Sequence, residues 1–95
     1  MRRRVVAARE IQLERADLPN AQLPSAGVRK YCKLTPSLRL FLEDAAQRTG
    51  LSPRACQRIL KVSRTIADLD GSEDIGDAHL AEALAYREVD RAKNL

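Results

Sequence analysis

Tryptophan is absent from this 95-residue chain, and its aromatic residues are Phe41, Tyr31 and Tyr86. So few flat side chains leave no row of platforms on which single-stranded bases could stack. The apolar residues are mostly alanine and leucine, whereas a β-sandwich draws on valine, isoleucine, threonine and aromatics. Nowhere do apolar and polar residues alternate for long enough to make a strand. Two cysteines, Cys32 and Cys56, stand without a CxxC motif, and His79 is the single histidine. No zinc site can be assembled from that inventory, and two buried thiols in a reducing compartment are expected. The longest apolar run is only a few residues. This excludes a signal peptide or a membrane span of the usual kind, and a soluble cytoplasmic protein is expected. There is no GxxxxGK[ST] phosphate loop, no GxGxxG turn and no Ser/His/Asp or Cys/His set. Read alone, the chain is not an enzyme and binds no metal or cofactor of its own.

Charge is present in quantity and unevenly spread. The net charge is +4. Residues 1–34 hold eight Lys/Arg against three acids, and residues 72–95 hold three against six. A basic first half suits an anionic partner, although a solvated surface would show the same composition.

The stretch around which the chain is organised is Leu51 to Gly71, LSPRACQRILKVSRTIADLDG. Ser52 is placed as an N-cap and Pro53 at the first helical position, and Gly71 can adopt the left-handed conformation that closes a helix. Between them Ala55, Ile59, Val62, Ile66 and Leu69 fall on one side of a helix about 27 Å long. Arg54, Arg58, Lys61 and Thr65 share a second stripe, roughly a quarter turn away. Arg64 is spaced to pair with Asp68.

The remaining helices follow the same logic. Residues 2–16 read as a helix with Val6, Leu13 and Ala16 inward. Its triple arginine opposes the positive end of the helix dipole, as if the helix continued from upstream sequence. Leu18 to Pro24 is a connector. Ser25 to Cys32 is a short helix carrying Val28 and Tyr31 inward. Thr35 and Pro36 repeat the cap-plus-proline signature before the stripe Leu38, Phe41, Leu42, Ala45 and Ala46, and Gly50 ends that helix. The last helix runs from about Asp77 to Arg91, with Leu80, Ala83 and Leu84 inward and His79 hydrogen-bonded in a seam between helices. Phe41 and Tyr86 are expected in the core or at its edge. The fold class is therefore all-α, a small bundle of four to five helices. Residues 1–95 make one domain, with 1–17 a leading helix and 35–91 the main bundle.

LSPRACQRILKVSRTIADLDGSEDI followed by HLAEALAYR closely resembles the C-terminal domain of the magnesium-chelatase-like AAA+ ATPases of the ComM/YifB type. VVAAREIQLER and the Asn20-Ala21 pair agree with the same family, so the resemblance covers nearly the whole chain. Ser63 departs from the commoner KVARTIADL, a small-for-small change. The resemblance implies a helical lid whose ATPase core lies elsewhere in a larger protein, with ATP and Mg²⁺ bound on that core. By the S-x-R-A match, Arg54 takes the position of the sensor-2 arginine that reaches the γ-phosphate. Arg58 and Lys61, on the same stripe, are candidate contacts to nucleotide or to a neighbouring subunit, or a solvated flank. The implied partners are the ATPase core, neighbouring subunits in a hexameric ring, and DNA handled by the parent motor. A rival reading is a small basic DNA-binding module, with Arg2, Arg3, Arg4, Arg9, Arg29, Lys30 and Lys33 contacting phosphates. A helix-turn-helix can be drawn over residues 37–70, but its second helix lacks a base-reading face.

Overall fold

In the computed structural model the backbone is described for residues 2–93 and side chains for residues 3–86. Five α-helices are present there: α1 (Arg2–Ala16), α2 (Ser25–Tyr31), α3 (Pro36–Thr49), α4 (Pro53–Leu69) and α5 (Asp77–Lys93). One 3-10 turn, Asn20–Gln22, interrupts the connector between α1 and α2, and no strand occurs among the described residues. This is the all-α bundle read from the sequence.

The helix ends are built as their residues require. The Thr35 hydroxyl accepts from the Leu38 amide at 3.2 Å, and the Ser52 hydroxyl accepts from the Ala55 amide at 3.1 Å, each followed by proline. Each cap satisfies one amide that the helix leaves without an internal acceptor. Gly50 at φ 71° and Gly71 at φ 72° supply the left-handed residues that turn the chain after α3 and α4. Replacing Thr35 by alanine is therefore expected to destabilise the domain by about 1 kcal/mol, read as a lowered urea midpoint at unchanged slope.

α4 is the central element, touching α5, α1, the 3-10 turn and α2. One core cluster, Leu23, Val28, Cys32, Ala67 and Ile75, lies against its C-terminal half; the other joins Leu38, Leu42, Ile59, Leu80 and Ala83. Leu60 and Leu34 border both, so the two clusters are stitched across α4 and the α2–α3 connection. Ser63 is fully buried and its hydroxyl donates to the Ile59 carbonyl at 2.8 Å, which satisfies it inside the helix. A small residue fits that position.

Several residues expected inside are outside. Val6 (50% exposed) and Leu13 (44%) of α1 face solvent, while Ala8 and Gln12 are buried. The helix has turned its polar side inward because Gln12 and the half-buried Arg15 find partners there. Val62, Phe41 and Tyr86 are also exposed rather than core. Val62 sits about 60° around the helix from the buried Ile59 and Tyr86 about 60° from the buried Ala83, while Phe41 sits about 40° from the buried Ala45, so each flanks a packed residue without being covered itself. Cys56 is half-buried, not buried like Cys32, and both thiols are free. Burial, the largest influence, pushes the Cys32 thiol up, against the lowering effect of the Arg64 and Arg15 charges, so it is a poor nucleophile.

Candidate anion groove

The N-terminal half of α4 and the middle of α5 diverge to leave an open groove of about 220 Å³. Arg54 and Arg58 stand on one wall, one helical turn apart, with Ser52 at the mouth. Ile59, Val62, Ala83 and Tyr86 line the rest. Neither guanidinium has a hydrogen-bond or ion-pair partner among the described residues. The capped start of α4 aims its dipole into the same region, so backbone and side chains together make this a place for an anion. Two permanently charged forks beside an aliphatic and phenolic wall suit a phosphate on an organic body. The same donors repel a divalent cation, and no group of three or more His, Cys, Asp or Glu among the described residues could hold one.

The third cation of the stripe goes elsewhere. Lys61 directs its ammonium to the Ala21 carbonyl at 3.4 Å, across the seam with the 3-10 turn, and Thr65 accepts from Asn20 there. The stripe read from periodicity is thus divided between two neighbours of α4. Val62 and Tyr86 are groove residues that the sequence reading assigned to the core and to the core or its edge, respectively. Spacing alone could not have placed Val62, which lies near the middle of the stripe formed by Ala55, Ile59, Ile66 and Leu69.

The other basic residues are dispersed. Arg3 borders a shallow depression with Val6, Ala7 and Glu10, Arg9 is exposed on α1, and Lys30 lies over the Tyr31 ring at 5.2 Å from its centre. Arg29 and Lys33 rim a separate groove between α2, α3 and α4. Arg4 is exposed, and its charge contributes weakly to holding Asp70 below the usual carboxylate range, after hydrogen bonds from His79 and Ser72. The side chain of Arg2 lies outside the described residues.

Behind the groove, α4 is held in place by a buried polar cluster. The Asp68 carboxylate accepts from Arg15 at 2.7 and 3.1 Å, from Asn20 at 2.9 Å and from the Arg64 Nε at 3.1 Å. Arg64 also donates to the Glu73 and Ser72 carbonyls at 2.8 Å each, tying down the chain after α4. The Arg64–Asp68 pair was legible from its spacing; Arg15 and Asn20 were not. Burial is the largest influence on Asp68 and acts upward. The donors Arg15 and Asn20, with the charges of Arg64 and Arg15, outweigh it and hold the carboxyl below its ordinary value. At the end of α4, His79 Nδ1 accepts from the Gly76 amide at 2.8 Å, so the neutral ring carries its proton on Nε2, facing Asp70 at 3.1 Å. This is the structural role expected of His79, placed at the junction of α4 and α5.

The chain is similar to known proteins along nearly its whole length. The family model described as magnesium chelatase, subunit ChlI C-terminal, matches residues 1–87. The chain is 53% identical over 91 residues to the competence protein ComM of Haemophilus influenzae. It is 48% identical to the protein YifB of Escherichia coli and 45% identical to YifB of Salmonella typhimurium over the same length. Each match covers 96% of this chain but 18% of the relative, so the chain spans less than a fifth of the curated proteins it resembles.

Proposed function

We propose, from the premise that this chain belongs to the magnesium chelatase ChlI C-terminal family, that it is the helical lid of a ComM/YifB-type AAA+ ATPase with Arg54 as its nucleotide-sensing arginine. The observation that carries the reading is the pair of unpaired guanidinium groups, Arg54 and Arg58, converging on one groove at the capped start of α4. An arginine left without an internal acceptor is free to take one from another molecule. Arg54, in the first turn, is the outermost of the two and is the residue assigned to the terminal phosphate. Arg58, one turn deeper, is assigned to the same anion or to a neighbouring subunit. Lys61 is assigned to the lid itself.

The chemistry required of this chain is electrostatic. ATP and Mg²⁺ would be held by the ATPase core, and Mg²⁺ there would neutralise phosphate charge. Closure of the lid brings the Arg54 fork to the transferring phosphoryl group, whose developing charge it stabilises with two parallel donors. The forked, rigid guanidinium keeps its charge at any working pH, so the contact depends on lid position alone. In the parent protein the lid packs against the core of its own chain and against neighbours in a hexameric ring, and the ring acts as a DNA-linked motor.

Titration of the 95-residue chain with ATP, followed by amide and arginine side-chain NMR shifts, tests the division of labour. Shifts confined to Arg54 and Arg58, and only at millimolar ATP, are expected, because most phosphate contacts lie on the core. Tight, salt-sensitive binding of a short DNA duplex at residues 3–9 and 29–33 would instead favour a DNA-contacting module.

A further inference from the structure

The second groove, between α2, α3 and α4, has a different character. Its apolar lining that still reaches solvent is Leu34, Ala46 and Leu60 with the Cys56 thiol, all half-buried, laid over the buried Val28, Cys32 and Leu42, and the open groove measures about 510 Å³. That volume is in the range of sites that bury a compact apolar group. Its rim carries Arg29, Lys33 and Arg39 against the single carboxylate of Glu43. None of the three cations has an ion-pair partner among the described residues, although Arg39 and Glu43 are spaced four apart on one helix. Three cations against one acid on the rim of a groove with an apolar floor make an amphipathic receptor of predominantly one sign.

We propose that this groove docks an acidic amphipathic helix of a partner protein, its aliphatic side chains on the floor and its carboxylates against Arg29, Lys33 and Arg39. The charge pattern favours this occupant over nucleic acid. A phosphate backbone would satisfy the rim but leave the aliphatic floor covered by nothing that gains from it, and no aromatic side chain lines the groove to stack a base. An aliphatic stripe at helical spacing flanked by glutamates matches floor and rim together. The docking face of α4, carrying Cys56, Gln57 and Leu60, lies on the side opposite Arg54, Arg58 and Val62. A helix seated here therefore leaves the anion groove open, and the two sites are separable by mutation. Burying the floor also covers Cys56, so protection of that thiol reports occupancy.

Two synthetic helical peptides about five turns long, with identical leucine spacing but glutamate or lysine flanks, provide the probes. The glutamate peptide is expected to shift the methyl signals of Val28, Leu42 and Leu60, to slow alkylation of Cys56, and to bind more weakly as salt is raised. The triple variant Arg29→Glu, Lys33→Glu, Arg39→Glu, all surface changes that leave the core intact, is expected to weaken it about tenfold or more. Arg54→Ala is expected to leave it unchanged. Equal binding of the lysine peptide, or no methyl shift up to about millimolar peptide, overturns the proposal. So does a DNA duplex that shifts the same methyls and displaces the peptide. None of these outcomes touches the assignment of Arg54.

Discussion

Asp68→Ala is expected to cost about 3–5 kcal/mol, the range for removing one partner of a buried ion pair. The side chain of Asp68 is 1% exposed and that of Arg64 is 5%. Without the carboxylate, the Arg64 charge stays buried with only the Ser72 and Glu73 carbonyls to accept from it. The Asn20 side-chain amide loses one of its two acceptors, and Arg15, 18% exposed at its side chain, loses its ion pair. Domains of this size have total stabilities on the order of 5–15 kcal/mol, so the variant sits at or near the edge of folding. Circular dichroism through a urea titration checks this, and Asp68→Asn, which keeps the shape, separates charge from packing.

The same cluster sets an acid response. The folded carboxyl of Asp68 is held below its unfolded value, so its contribution to stability is fully present above the unfolded pKa of about 4. That contribution is lost as pH falls from there through the lowered folded value. Wild-type stability is therefore expected to decline below about pH 4 more steeply than that of Asp68→Asn, which has no proton to take up at this position.

On the proposed lid reading, Arg54→Ala is expected to leave the 95-residue chain folded and to cripple ATP hydrolysis by the larger protein. Arg54 is exposed and unpartnered among the described residues, so its loss should change the stability of the 95-residue chain by less than about 0.5 kcal/mol. In the proposed ATPase parent, loss of the guanidinium assigned to the transferring phosphate is expected to lower kcat about a hundredfold or more. Arg54→Lys should recover only part of this, since a point charge does not reproduce the two parallel donors. ATP turnover measured beside the melting temperature of the isolated lid makes the check. An unchanged kcat with Arg54→Ala would overturn the assignment of Arg54, and a similar loss with Arg58→Ala alone would move it one turn along α4.

How far the chain was legible depends on the reach of each signal. Ser52, Pro53, Thr35, Pro36, Gly50 and Gly71 act within a few residues of themselves, so helix starts and stops could be read from neighbours in sequence. The apolar stripe through Leu38, Leu42 and Ala45 could be read by periodicity, because a helix presents those residues to one side whatever it packs against. The same periodicity overreached at Val62 and Phe41, since it gives direction around a helix and not the width of the surface its neighbours cover.

On α1 the periodicity pointed the wrong way. Val6 and Leu13 were the obvious inward residues by apolarity, yet Gln12 and Arg15 face the interior. Their acceptors and donors come from elsewhere: Asn20 lies eight residues from Gln12, and Asp68 lies 53 from Arg15. A polar side chain is buried only where a partner offsets its desolvation, and that partner exists only once α1 and α4 are side by side. The split of the basic stripe has the same origin, with Lys61 drawn to a carbonyl 40 residues away while Arg54 and Arg58 are left unpaired. By itself the sequence determined the helices, their caps and most of the apolar core, because those rest on local geometry and hydrophobic spacing. Only the tertiary structure decided which face of α1 is buried and which cations remain available to another molecule, because both depend on partners brought together by folding.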